Sequence, residues 1–112
     1  MNFRKLLVTA LLVISLPVAA EFQTVSLAYE IALSNFRVPA TPSSGVQFKE
    51  CDECDYRILR VTPNTRYVVN SQRVELQDFR RLVFGVRDRA AATVIVLHHL
   101  ESDTVQSISI SI

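Results

Sequence analysis

Thr93-Val94-Ile95-Val96-Leu97-His98-His99-Leu100, then Glu101-Ser102-Asp103, then Thr104-Val105-Gln106-Ser107-Ile108-Ser109-Ile110-Ser111-Ile112, is the stretch on which the fold turns. Its first part is β-branched and apolar on both faces, which predicts a central strand covered on two sides. Its last part alternates, with Ile108, Ile110 and Ile112 on one face and Ser107, Ser109 and Ser111 on the other. That is a half-buried strand, antiparallel to its neighbour if the short polar connection is a hairpin.

Upstream, Leu76 to Val86 carries a helix period. Leu76, Phe79, Leu82, Val83 and Val86 fall on one face, while Gln77, Arg80, Arg81 and Arg87 point away. Asp78 sits in the first turn, where a carboxylate meets the positive end of the helix dipole. Gly85 is a stop, followed by the polar exit Arg87-Asp88-Arg89. Before the helix, Arg66 to Asn70 and Arg73 to Glu75 flank Asn70-Ser71-Gln72, the signature of a hairpin or sharp corner. Tyr56 to Thr62 and Val46 to Lys49 are short strands, separated from the N-terminal segment by the loop Pro39-Ala40-Thr41-Pro42-Ser43-Ser44-Gly45. Residues 22–33 fit both periods, but Val25, Leu27, Tyr29, Ile31 and Leu33 alternate without a break, which favours a strand over a helix. The expected fold class is α+β: a small, mostly antiparallel sheet of five or six strands with one amphipathic helix packed on a face.

The run Tyr67-Val68-Val69-Asn70, Val74-Glu75-Leu76-Gln77-Asp78-Phe79 and Val94-Ile95-Val96 resembles the strand–strand–helix–strand run in the periplasmic domains of biopolymer-transport proteins. The resemblance covers about a third of the chain and has no diagnostic motif, so no function is carried over from it.

The N-terminal end has the order of a secretory signal. Met1-Asn2-Phe3-Arg4-Lys5 is basic, Leu6 to Leu16 is apolar apart from Thr9 and Ser15, and Pro17-Val18-Ala19-Ala20 ends in small residues. The reading is therefore a cleaved signal peptide over 1–20 and a single domain over 21–112, periplasmic or secreted, with no stable membrane anchor after cleavage. The apolar run is short for a bilayer span. The whole chain has 112 residues and a formal charge of +1. Removing Arg4 and Lys5 with the signal leaves 92 residues, with 10 basic against 11 acidic side chains, a balance of −1. Such a chain bears no electrostatic footprint for nucleic acid.

Cys51-Asp52-Glu53-Cys54 holds both cysteines of the chain. In an oxidising compartment the pair reads first as a local disulfide. A thiol–disulfide redox site has the right spacing, but Glu50, Asp52, Glu53 and Asp55 disfavour a thiolate. A Zn or Cu site would need further ligands, for which His98 or His99 are weak candidates; adjacent in a strand, they face opposite ways. Asp55 stands where a haem-attachment motif would have His. Arg80, Arg81, Arg87 and Arg89 give the helix and its exit a basic face able to meet carboxylate or phosphate. No serine lies in a Gly-flanked elbow and no Gly-rich phosphate loop is present. The expectation is a small non-catalytic binding or assembly protein of the cell envelope, without a cofactor, acting on an envelope protein through a sheet edge or the arginine face. The alternative is a redox or metal-handling protein using Cys51 and Cys54.

Overall fold

The hairpin at the C-terminal end organises everything else. The computed structural model describes residues 25–112, and the signal segment read over 1–20 lies outside them. In chain order the elements are β1 (Ser26–Ala32), β2 (Phe36–Arg37), β3 (Gly45–Phe48), β4 (Arg57–Arg60), β5 (Arg66–Val69), β6 (Gln72–Val74), α1 (Leu76–Phe84), β7 (Thr93–His99) and β8 (Thr104–Ile110). β7 and β8 pair antiparallel from Val94↔Ile110 to His99↔Thr104, and β1 pairs antiparallel with the other edge of β7. The strand reading of 22–33 is thus borne out over Ser26–Ala32.

One irregularity in the hairpin sets its burial. Leu97 faces Ser107 but His98 faces Val105, so Gln106 is an extra residue on β8. This bulge shifts the pleat by one, and Val105 turns into the core beside Ile108 and Ile110. Strict alternation would have put Val105 on the serine side.

The sheet has eight strands rather than five or six, and it is mixed: five of its pairings are antiparallel and two are parallel. The extra strands are pieces of two to four residues, such as β2 and β6, too short to show a period. The parallel pairings come from β8, whose far edge takes two partners. Thr104 pairs with Arg60 of β4, and Ser107 to Ile110 pair with Arg66 to Val69 of β5. β4 and β5 therefore lie end to end along one strand, and the sheet forks between them. One branch continues through β3 and β2, the other through β6. The crossing at Val61–Thr65 is tied down by Thr65. Its buried hydroxyl donates to the Val105 carbonyl at 2.7 Å and accepts from the Thr62 amide at 3.0 Å.

β1 and β2 stand at opposite ends of the strand order, yet only the 3-10 turn Leu33–Asn35 separates them. The sheet must curl to allow this. Tyr29 of β1 accordingly packs on Phe48 of β3 with ring centroids 5.2 Å apart. α1 closes the interior. Phe79 and Val83 are fully buried, with Leu76, Leu82 and Val86 packed beside them, as the helix period predicts. The Arg89 guanidinium donates to the Val83 carbonyl at 3.0 Å, satisfying a helix-end acceptor.

The corner 70–71 is a two-residue hairpin with Asn70 at φ 51° and Ser71 at φ 70°, the two left-handed positions of a type I′ turn. Asn70 also accepts the Ile112 amide at 2.8 Å through its side chain, pinning the end of β8. β7 departs from expectation in one respect. Val94, Val96 and His98 are buried, but Ile95 is 40% exposed, because α1 covers a single face of the sheet. The strand–strand–helix–strand order read from 67–96 is present as β5, β6, α1 and β7.

Candidate functional site

The cysteines lie in the loop between β3 and β4 and are joined as a disulfide, with Cα atoms 5.1 Å apart. The loop is held from several sides. Asn35 donates to Asp52 at 2.9 Å, Lys49 Nζ to the Asp52 carbonyl at 3.2 Å, and Arg57 pairs with Glu50 at 3.0 Å. Arg37 lies over the Tyr56 ring at 4.3 Å. The bridge thus sits within a network that orders a loop of poor intrinsic structure. Among the described residues no group of three His, Cys, Asp or Glu side chains is placed to hold a metal ion.

The two histidines separate as adjacent strand residues should. His98 is buried, and its Nε2 lies 2.8 Å from Asp103 Oδ1. A carboxylate oxygen only accepts, so the His98 proton belongs on Nε2. Its Nδ1 is buried without a protein partner among the described residues. His99 faces the other way, and its Nδ1 accepts from the Ser102 amide at 3.3 Å. That leaves the His99 proton on Nε2, turned outward. The buried Tyr67 hydroxyl likewise lacks a protein partner, and burial raises its pKa above the ordinary phenol value.

Three of the four arginines are bonded within the domain. Arg80 donates to the Pro39 carbonyl at 2.8 Å and is half-buried, so it does not point away from the domain. Arg81 pairs with Asp78 at 2.8 Å, one turn away, and Arg89 is the helix-end donor already described. Only Arg87 of the four lacks such a bond among the described residues. The helix face was legible as arginine-rich, but the carbonyls that engage it come from the loop and the helix end.

The free edge of the sheet at β1 is a different kind of surface. The Leu100 amide donates to Val25 O at 2.9 Å and the Leu33 amide to Ala92 O at 2.9 Å, bracketing the β1–β7 ladder. With the register Leu27↔His98, Tyr29↔Val96 and Ile31↔Val94, the odd-numbered residues of β1 bond to β7. The N–H and C=O groups of Ser26, Ala28, Glu30 and Ala32 therefore point away from it. β7 is the sole strand paired with β1 among the described residues. The edge contains no Pro, Lys or Arg, and its one charged residue is the exposed Glu30. Val25 and Leu27 at its start are 56% and 43% exposed, and Leu100 joins them in an apolar patch at the sheet end.

Two surface hollows stand out. An apolar groove of about 580 Å³ runs beneath the end of α1, lined by Leu82, Val86, Ala92 and Ile112. A polar hollow of about 470 Å³ lies on the outer side of the fork, with Arg60, Arg66 and His99 in its wall. Sequence reading missed this second site. Arg60, Arg66 and His99 are scattered over 40 positions, and only the parallel pairing of β4 and β5 with β8 brings them together.

No helix among the described residues is long and apolar enough to cross a membrane. Comparison with known proteins yields no match: no family model, no curated protein and no solved structure matches the chain.

Proposed function

We propose that the chain is an extracytoplasmic, non-catalytic binding domain that accepts an extended segment of an envelope protein along the free edge of β1. The single observation that supports this is the row of outward backbone groups at Ser26, Ala28, Glu30 and Ala32. Such a row is complementary to one thing, another extended strand. The exposed Val25, Leu27 and Leu100 beside it suit a segment with apolar side chains on one face. The order of residues 1–20 and the Cys51–Cys54 bridge support an oxidising compartment outside the cytoplasm. The helix arginines are less suited to the role, since three of the four already bond within the domain.

Proline scanning of β1 tests the proposal. At Ala28 the amide points away from β7, so Ala28→Pro removes no ladder bond and blocks only the outer edge. With a photo-crosslinker in place of Glu30 in intact cells, an adduct to an extended segment of an envelope protein is expected. Adding Ala28→Pro should abolish it while the far-UV circular dichroism stays unchanged. An adduct unaffected by the proline, no adduct, or an adduct of twice the chain mass would overturn the proposal, the last by making the edge a self-association surface.

A further inference from the structure

The fork in the sheet creates a site unrelated to the β1 edge. β4 and β5 both lie along β8, with Arg60 opposite Thr104 and Arg66 opposite Ser107. Their buried neighbours Leu59, Val61, Thr65 and Tyr67 point inward, so both arginines stand on the outer face. Their partners on β8 are three positions apart, about 10 Å at the rise of a strand. Two side chains of that length can converge on a single group between them.

The other contributors are also donors. Thr62 comes from the crossing, Ser102 from the β7–β8 turn, Thr104 from the start of β8 and His99 from the end of β7, with the Ser102 hydroxyl 2.7 Å from Thr104 Oγ1 and 3.0 Å from His99 Nδ1. The Ser102 amide occupies His99 Nδ1, which commits Nε2 to donation. No carboxylate lines the hollow. The acidic residues nearest along the chain are Glu101 and Asp103, which flank Ser102, and Asp103 is engaged by His98. Neither Arg60 nor Arg66 makes an ion pair among the described residues, where the arginine–carboxylate pairs are Arg57–Glu50 and Arg81–Asp78.

We infer that this hollow binds a phosphate group. Two unpaired guanidiniums match a dianion in charge, and their forked N–H groups match its oxygens in geometry. Donors arrive from β4, from β5 and from the β7–β8 turn, which surrounds a tetrahedral oxyanion better than a planar carboxylate. At about 470 Å³ the hollow exceeds a bare phosphate and leaves room for the group that carries it. That carrier is either a soluble phosphate ester or the headgroup of an anionic lipid.

Titration with inorganic phosphate, followed by amide NMR on the disulfide-bonded protein, tests the inference at constant ionic strength. Saturable shifts at Thr62, Asn64 and Thr104 to Gln106 are expected. Arg60→Gln and Arg66→Gln should each weaken binding about tenfold, and Arg73→Gln on β6, outside the hollow, should leave it unchanged. Cosedimentation with phosphatidylcholine vesicles, with and without phosphatidylglycerol, separates the two sources. Binding that needs phosphatidylglycerol and both arginines marks a lipid headgroup, and phosphate binding without vesicle binding marks a soluble ester. No saturable response in either experiment, or a response indifferent to Arg60 and Arg66, would overturn the inference.

Discussion

Phe79→Ala is expected to destabilise the domain by about 3–5 kcal/mol, the range for emptying a fully buried aromatic site. Phe79 is 0% exposed, and its ring packs on Tyr67 with centroids 5.3 Å apart. It is the larger of the two fully buried side chains of α1. α1 has nine residues, too few to be stable alone, so it depends on this docking. Domains of this size are stable by roughly 5–10 kcal/mol, and the variant should therefore sit at or near the unfolding transition in ordinary buffer. Urea denaturation followed by circular dichroism measures the loss. Phe79→Leu, which keeps most of the apolar volume, should cost clearly less. A loss below about 1 kcal/mol for the alanine variant would mean that α1 docks by another face.

The next largest effect is expected at the fork. Thr65→Val preserves shape but removes the hydroxyl that bonds both Val105 and Thr62. Valine leaves the Val105 carbonyl and the Thr62 amide short of a partner, and the expected cost is about 2–3 kcal/mol. Thr65→Ser keeps the hydroxyl and should cost less than the valine variant. The same denaturation experiment reads both. A serine loss larger than the valine loss would show that Thr65 acts through its methyl group, which valine keeps, and the fork would then be held by strand pairing alone.

The parts of this fold that could be read in advance are those with a long period. The β7–β8 hairpin, the strand at 26–32 and the buried face of α1 are each seven residues or longer, and each declares its inward side. The hairpin at Asn70-Ser71 is announced by its turn chemistry. The parallel pairings were hidden because they join segments some 40 positions apart, and no local pattern records them. The bulge at Gln106 was hidden for a related reason. It follows from register with β7, and the alternation of Ile108 and Ile110 gives no hint that Val105 changes sides.

The site residues divide along the same line. Cys51 and Cys54 are four positions from end to end, and their bridge was readable. His98 and His99 were readable as one inward and one outward residue because neighbours in a strand alternate. The arginines of the helix were legible as a group, but their bonds were not, since the acceptors that engage Arg80 and Arg89 are main-chain carbonyls, which any sequence supplies everywhere. The polar hollow at Arg60 and Arg66 exists only because the sheet forks, so it could not precede the topology.

The proposed role rests on the free edge of β1, and residue-resolved amide exchange examines that edge directly. In the isolated protein the amides of Leu27, Tyr29 and Ile31 should exchange slowly, as members of the β1–β7 ladder. Those of Ala28 and Glu30 should exchange faster by at least about 100-fold. Uniform protection along Ser26–Ala32 would contradict the proposal, because the edge would then already be occupied by another part of the chain or by a second copy.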